Sequence, residues 1–119
     1  MYKFSLKKLT NEQKELRIRI LELSHESNLS HLGSCFTAVD LIDAVYKTKK
    51  KDEKFILSNG HAGLAWYAVL EKYGYFKDPK IIKKLNIHPD RNIKHDIYVS
   101  TGSLGQGLPI ALGMALADR

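Results

Sequence analysis

The sequence predicts an α/β fold that is rich in helices and whose sheet is incomplete. Five stretches have the apolar spacing of helices, whereas only two short stretches have the composition of strands. Each candidate strand is followed by a glycine-containing turn and then by an apolar helix, an order typical of layered α/β domains. Because two strands are too few for a stable layer of this kind, we expect further chain, continuous or from a partner, to complete the domain.

The composition is that of one ordinary globular domain, covering residues 1–119. Of the 119 residues, 44% are apolar and 27% are charged, which excludes a disordered chain. The formal charge is +6, and much of the excess lies in residues 47–51 and 80–84. Neither basic run is interleaved with aromatic residues that could stack on bases, so we expect a solvated surface and no nucleic-acid partner.

The sequence predicts a cytoplasmic protein. Cys35 is the only cysteine, so no internal disulfide can form, as is typical of a reducing compartment. We expect Cys35 to be a small buried residue rather than a nucleophile. Residues 1–15 lack the apolar core of a signal peptide, and no apolar run approaches the length of a membrane-spanning helix. We therefore expect no membrane partner.

Two amphipathic helices are predicted in the N-terminal half. The first begins at the capping box of residues 10–13, in which a hydroxyl and an amide side chain satisfy free backbone donors. It should end in the polar stretch 24–30. The second is predicted to begin at Thr37, with Asp40 as the reciprocal partner of that cap. The apolar positions of the two helices are Leu16, Ile20, Leu23, Ala38, Leu41, Ile42, Val45 and Tyr46.

The remaining elements alternate between extended segments, turns and helices. Residues 55–57 are a predicted buried strand, followed by a turn at 58–60 and an apolar helix over 61–73. A further helix is expected to begin at Pro79, whose missing N–H is harmless at the first helical position. The second strand is predicted over residues 96–100, where apolar and polar residues alternate.

The last predicted helix, residues 108–117, follows a glycine-rich turn at residues 102–107. It is apolar on nearly every side, and a helix without a polar face is normally buried between other elements. Since little chain is left to cover it, we expect a second copy, a partner chain or further sequence to do so.

Three histidines lie in turns and are candidate functional residues. His31, His61 and His88 each stand at an element boundary, where a side chain can reach a ligand. Such a histidine can donate hydrogen bonds to phosphate or hydroxyl groups, or transfer protons near neutral pH. The two glycine turns before apolar helices could admit a phosphate close to the backbone, although neither has the spacing of a dinucleotide-binding or P-loop motif. Capping histidines and purely structural turns are the alternatives that the residues alone leave open.

Four ordered motifs carry a resemblance to a known family. They are a turn with a histidine at residues 27–33 (SNLSHLG), an extended segment and turn at 55–62 (FILSNGHA), a histidine–proline–aspartate triplet at 88–90, and the stretch STGSLGQG at 100–107. An apolar GMALA helix follows them. The corresponding patterns S-G-H-x-G, F-[IV]-L-S-[NK]-G-H-[AG], H-P-[ED] and STGSLGQG occur in this order in the transketolase family. The chain resembles that family over residues 12–119, particularly the split form whose N-terminal half is a separate polypeptide.

The resemblance implies both a fold and a cofactor. The fold would be the first part of a diphosphate-type, three-layer domain, and the cofactor would be thiamine diphosphate with Mg²⁺. His61 would reach the diphosphate of the cofactor. His31 and His88 would face a sugar phosphate substrate and bind hydroxyls near its carbonyl group. The aminopyrimidine ring of the cofactor would lie along the backbone of Gly102, Ser103 and Leu104.

The implied activity is the transfer of a two-carbon ketol unit from a ketose phosphate to an aldose. This sequence departs from the family at Ser30, where glycine is usual, and at Leu32 and Ser103, where many members have proline. The family's next motif, G-D-G with a downstream asparagine, supplies the Mg²⁺ ligands and has no counterpart in this sequence, so we assign no metal ligands. The half of the family's enzymes that carries the glutamate activating the aminopyrimidine has no counterpart in this sequence either. We therefore expect activity only with the missing portion, in a homo-oligomer or with a complementary transketolase chain.

Three alternatives stay open at this point. A non-catalytic remnant of the same family would act as a self-associating or partner-binding module without affinity for the cofactor. The thiamine enzyme that makes deoxyxylulose phosphate is a rival within the same superfamily, although that group usually lacks the stretch STGSLGQG. A small basic nucleic-acid binder would be retained on DNA or RNA in a strongly salt-dependent way.

Overall fold

A computed structural model describes residues 7–119 as a helical assembly. Four α-helices are joined by loops that contain three short 3₁₀ segments. The helices are α1 (Asn11–Ser27), α2 (Leu32–Thr48), α3 (Gly63–Lys72) and α4 (Gly107–Ala117), and the 3₁₀ segments are Gly60–Ala62, Pro79–Lys84 and Ile93–His95.

The core lies where α1, α2 and α3 pack against one another. The helix α1 begins at the predicted capping box, since the Thr10 hydroxyl accepts from the Gln13 N–H and the Gln13 side chain accepts from the Thr10 N–H. It buries the predicted face of Leu16, Ile20 and Leu23. The helix α3 is buried along almost its whole length, so it forms the centre of the assembly. Its C-terminus is a Schellman motif, in which Gly74 adopts φ +78° and the Tyr75 N–H donates to the Leu70 carbonyl.

Paired charges link the outer surfaces of these three helices. Arg17 on α1 makes two hydrogen bonds to Asp40 on α2, at 3.0 and 2.8 Å. Arg19 on α1 makes a similar pair to Glu71 on α3, at 2.6 and 2.9 Å. Bidentate contacts of this kind fix the relative orientation of the two side chains as well as attracting opposite charges. They therefore fix the position of α1 relative to α2 and α3.

Both predicted strands are wrong within the described part of the chain. Residues 55–57 are extended, and Leu57 is buried, but they pair with no other segment among residues 7–119. In the second segment Ile97 alone forms a single antiparallel bridge, to Asn92. A strand needs a neighbour for its backbone hydrogen bonds, and the chain between these two segments folds as helix and loop. The helix-rich part of the predicted fold is therefore present, whereas the three-layer α/β arrangement does not form in residues 7–119.

The helix α2 begins five residues before its predicted start. Thr37 lies inside the helix, and its hydroxyl donates to the Gly33 carbonyl one turn earlier instead of capping the N-terminus. Asp40 binds Arg17 rather than the backbone at Thr37. The earlier start places Cys35 on the buried face of α2. The burial of this side chain favours a helix that includes its first turn.

The helix α4 forms over the predicted residues, but it is not buried. Only Gly107 of this helix is buried, and Leu108, Leu112 and Leu116 keep 74%, 60% and 55% of their surface exposed. Lys54 forms an ion pair of 2.5 Å with Asp118 just beyond its C-terminus. The apolar outer face of α4, formed by these leucines, therefore has no partner within residues 7–119.

None of the helices in the described part of the chain combines the length and the apolar content needed to cross a membrane.

Candidate functional site

Three histidine rings from separate parts of the chain meet at one place. The centroids of the His31 and His61 rings are 4.7 Å apart, as are those of His61 and His88, and His31 and His88 are separated by 5.7 Å. Each ring can offer one nitrogen such that the three nitrogens all lie within 4.8 Å of one another. We call these three residues the histidine cluster.

Local backbone structure positions the first two rings of the histidine cluster. His31 occupies the cap position of α2 with φ +68°, a left-handed conformation that turns the chain sharply out of the preceding loop. It is exposed to solvent. His61 lies in the 3₁₀ segment directly before α3. The buried Cys35 thiol, 3.8 Å away, donates to the His61 carbonyl. Burial raises the pKa of this thiol, which keeps it in the protonated, donating form.

The third ring is held by the loop that packs over α3. The hydroxyl of Tyr67, on α3, donates a 2.8 Å hydrogen bond to the Asn86 carbonyl, two residues before His88. On the other side, the Thr101 N–H donates to the Pro89 carbonyl at 3.0 Å. His88 is therefore fixed between α3 and the loop around Thr101.

Two glycines allow the site loops to approach one another. A Cβ atom at Gly60 would lie 2.6 Å from the backbone nitrogen of Gly102, a distance that real side chains do not tolerate. Gly102 has φ +144°, and a Cβ atom there would lie 3.0 Å from the His88 ring. Gly60 thus excludes a side chain by its contacts, and Gly102 disfavours one by its positive φ, so the backbone at residues 101–102 can lie directly against the histidine cluster.

Three buried polar atoms at this place have no hydrogen-bond partner within residues 7–119. They are Nδ1 of His61, Nε2 of His88 and the hydroxyl oxygen of Thr101. Buried polar atoms are nearly always paired in folded proteins, and each unpaired one costs about 1–3 kcal/mol. Their concentration in one place indicates a ligand-binding site, because a bound ligand can offer partners to all three.

The structure brings together four of the six residues predicted for the site. These are His31, His61, His88 and Gly102. Ser103 and Leu104 follow Gly102 in the same loop, with both side chains exposed.

Two site residues were missed in the sequence. The sequence predicts Gly60 as a turn residue, and its close approach to Gly102, 42 residues further along the chain, has no local signal. Thr101 lies in the specific stretch 100–107, but nothing in its spacing indicates that its hydroxyl is buried without a partner.

The chemistry of the site suits an anionic, hydroxylated ligand. Imidazole nitrogens donate to phosphate and to sugar hydroxyls, and the glycine backbone allows close approach by such a ligand. Thiamine diphosphate fits this set of donors. Mg²⁺ does not fit it, because Mg²⁺ prefers oxygen ligands and the cluster of potential metal ligands in residues 7–119 holds histidines without a carboxylate.

Known proteins resemble this chain in sequence. The family described as "Transketolase, thiamine diphosphate binding domain" matches residues 11–119. The transketolase of Buchnera aphidicola subsp. Acyrthosiphon pisum is 29% identical over 98% of this chain and 20% of its own length. One subunit of the apulose-4-phosphate transketolase of Actinobacillus succinogenes is 28% identical over 99% of this chain and 49% of its own length. The transketolase of Aquifex aeolicus is 33% identical over 74% of this chain and 15% of its own length.

The chain thus spans about a fifth of the Buchnera transketolase and about half of the Actinobacillus protein. No solved structure matches it. Because the family matches nearly the whole chain, this protein belongs to the transketolase family, in the part described as the thiamine diphosphate-binding domain.

Proposed function

We propose that this chain is the N-terminal part of a transketolase-like enzyme that transfers a two-carbon ketol unit between sugar phosphates. The observation that carries the proposal is the histidine cluster. It lies beside the close contact of Gly60 with Gly102, and buried polar atoms there have no hydrogen-bond partner in the described residues. The family match supports the cofactor, thiamine diphosphate. When bound, this cofactor supplies the carbanion chemistry, and the protein supplies placement and proton transfer.

The cofactor would be held at the His61 side of the site. His61 lies in the 3₁₀ segment directly before α3, so a diphosphate there would meet its imidazole near the positive end of the helix. The backbone of Gly102, Ser103 and Leu104 would hold the aminopyrimidine ring. The exposure of Ser103 and Leu104 supports this role, since their backbone is accessible to a ligand.

The substrate would be held by His31 and His88. The exposed His31 ring faces solvent, where a sugar phosphate enters, and His88 lies deeper beside Gly102. Both imidazoles would donate hydrogen bonds to hydroxyls near the reacting carbonyl and could exchange protons with them. A relative named for apulose-4-phosphate supports a sugar phosphate as the substrate class.

The proposed enzyme requires groups that the histidine cluster does not supply. The histidine cluster offers no oxygen ligands for Mg²⁺, so we assign no step to this metal and propose that its ligands come from another chain or from further sequence. The exposed apolar face of α4 supports such an association, as does the Actinobacillus relative, whose name describes it as one subunit of an enzyme. The partner would be a complementary transketolase chain or a second copy of this chain. The cytoplasmic location stays a prediction from the sequence.

A second candidate function is a non-catalytic module that only associates with itself or with a partner. The exposed leucines of α4 favour it, because an unpartnered apolar helix face is typical of interaction surfaces. This alternative predicts a stable oligomer without affinity for thiamine diphosphate.

A calorimetric titration with thiamine diphosphate, with and without Mg²⁺, tests the proposal. We expect binding that His61→Ala removes, whereas His25→Ala, on the exposed surface of α1, should leave it unchanged. Light scattering on the same samples reports the oligomeric state. Binding that is equal in the His61 and His25 variants would overturn the cofactor role of His61. An oligomer that does not bind at all would favour the non-catalytic module.

A further inference from the structure

We propose that the histidine cluster is a site for a nitrogen-preferring divalent metal ion, and that Zn²⁺ binds His31, His61 and His88 through one imidazole nitrogen each. This proposal goes beyond the function proposed above, in which the same rings contact the cofactor and the sugar. It rests on the composition and geometry of the cluster alone.

The number and type of ligands match zinc. Zn²⁺ accepts imidazole nitrogen, and three histidine ligands with an open fourth position are an established arrangement for sites that also bind a water or a ligand. The three rings come from three separate segments of the chain. Their approach is therefore a property of the fold and not of local sequence spacing.

The distances require only a small adjustment. With zinc–nitrogen bonds of about 2.0–2.1 Å and tetrahedral angles, ligand nitrogens lie roughly 3.4 Å apart. The cluster nitrogens all lie within 4.8 Å of one another, so no pair has to close by more than about 1.4 Å. His31 is exposed and lies outside the buried core, so a shift of its ring would supply this movement without displacing core residues.

The unpartnered atoms are the second, independent observation. Nδ1 of His61 and Nε2 of His88 are buried without a hydrogen-bond partner in the described part of the chain. In the tautomers that leave these two nitrogens unprotonated, a bound cation would accept their lone pairs and offset this cost. Because His31 is exposed on the outer side, the fourth coordination position would open to solvent.

The test uses the purified full chain without a polyhistidine tag. Titration with Zn²⁺ is followed by calorimetry, and titration with Co²⁺ by visible absorption, which distinguishes tetrahedral from octahedral coordination. We expect one ion per chain and the intense absorption of tetrahedral Co²⁺. Each of His31→Asn, His61→Ala and His88→Ala should weaken binding by at least about 100-fold, since the loss of even an outer-shell partner costs 10–100-fold.

Asparagine is chosen at position 31 because it tolerates the left-handed backbone that His31 adopts. This variant should keep the fold, as measured by circular dichroism, even if the others do not. His25→Ala and His95→Ala are matched controls; His25 is exposed, and His95 contacts the Tyr75 carbonyl at 3.0 Å. Unchanged affinity in folded His31→Asn, or equal losses in the controls, would overturn the proposal. Neither result bears on thiamine diphosphate binding, which is measured separately without Zn²⁺.

Discussion

The hydroxyl of Tyr46 donates a 2.8 Å hydrogen bond to the carboxylate of Asp96, fifty residues further along the chain. Asp96 is only 7% exposed, and the ammonium group of Lys49 lies 3.7 Å from its carboxylate. The same Tyr46 hydroxyl accepts a 2.9 Å hydrogen bond from the indole N–H of Trp66. One hydroxyl therefore joins α2, the centre of α3 and the loop that leads into the site residues 100–107.

Tyr46→Phe should destabilise the chain by about 1–3 kcal/mol, because it leaves both the Asp96 carboxylate and the Trp66 N–H without their hydrogen-bond partner. Urea unfolding followed by Trp66 fluorescence measures this change. Tyr73→Phe is the matched control, since the Tyr73 hydroxyl is 3.5 Å from its acceptor and half-buried, and its loss should cost less than about 0.5 kcal/mol. Equal effects of the two substitutions would show that the buried network contributes no special stability.

Alkaline pH should destabilise the fold through two buried tyrosines. The pKa values of Tyr46 and Tyr67 are raised above the ordinary value of a tyrosine, mainly because both hydroxyls are buried. In the unfolded chain both hydroxyls lose their protons near pH 10, whereas in the folded chain they stay protonated. The stability that these two tyrosines contribute is therefore constant below about pH 10 and is lost above it, by about 1.4 kcal/mol per pH unit for each tyrosine.

Urea unfolding at a series of alkaline pH values measures this slope, and Tyr67→Phe tests its origin. The variant loses the hydrogen bond to the Asn86 carbonyl and so should be less stable at neutral pH. Its stability should nevertheless fall less steeply above pH 10, since one of the buried tyrosines that titrate there is gone. A slope identical to that of the unsubstituted chain would contradict the assignment to Tyr67.

The helical elements could be predicted because their signals are local. The capping box at Thr10 and the spacing of Leu16, Ile20 and Leu23 identify α1, and the structure confirms them. The two strands were wrong because strand formation depends on a neighbouring strand, which short apolar runs cannot reveal. The start of α2 was also wrong, because Thr37 resembles a cap residue while the real start is fixed by His31 at positive φ.

The candidate site could be predicted in part. His31, His61 and His88 were chosen for their turns and their resemblance to family motifs, and their meeting in space agrees with that choice. The roles of these residues stay predictions. Gly60 could not be assigned to the site, because its role depends on contact with residues 101–102, which only the tertiary fold creates.

Cys35 should be unreactive in the folded chain. The thiol is fully buried, and burial raises its pKa, so both access and thiolate formation are suppressed. Labelling with a thiol-specific chromogenic disulfide should be about a thousand-fold slower than in urea-unfolded chain, since it requires an unfolding fluctuation. Lys51→Cys, at an exposed position, should add one thiol that reacts at once. Rapid reaction of Cys35 in the native chain would show that the α2–α3 interface opens readily.

Gly60→Ala should disrupt the candidate site, whereas Gly113→Ala should not. The Cβ atom at position 60 would lie 2.6 Å from backbone atoms of Thr101 and Gly102, which cannot rotate away as a flexible side chain can. The contact is relieved only if the loop moves away from the histidine cluster, so we expect a loss of about 1–3 kcal/mol in unfolding free energy. At position 113, inside α4, a Cβ atom meets nothing within 4 Å, and alanine should stabilise the helix by about 0.5–1 kcal/mol.

Thermal unfolding of both variants compares these effects. A Gly60→Ala chain as stable as the unsubstituted one would mean that residues 101–102 do not pack against Gly60 in solution.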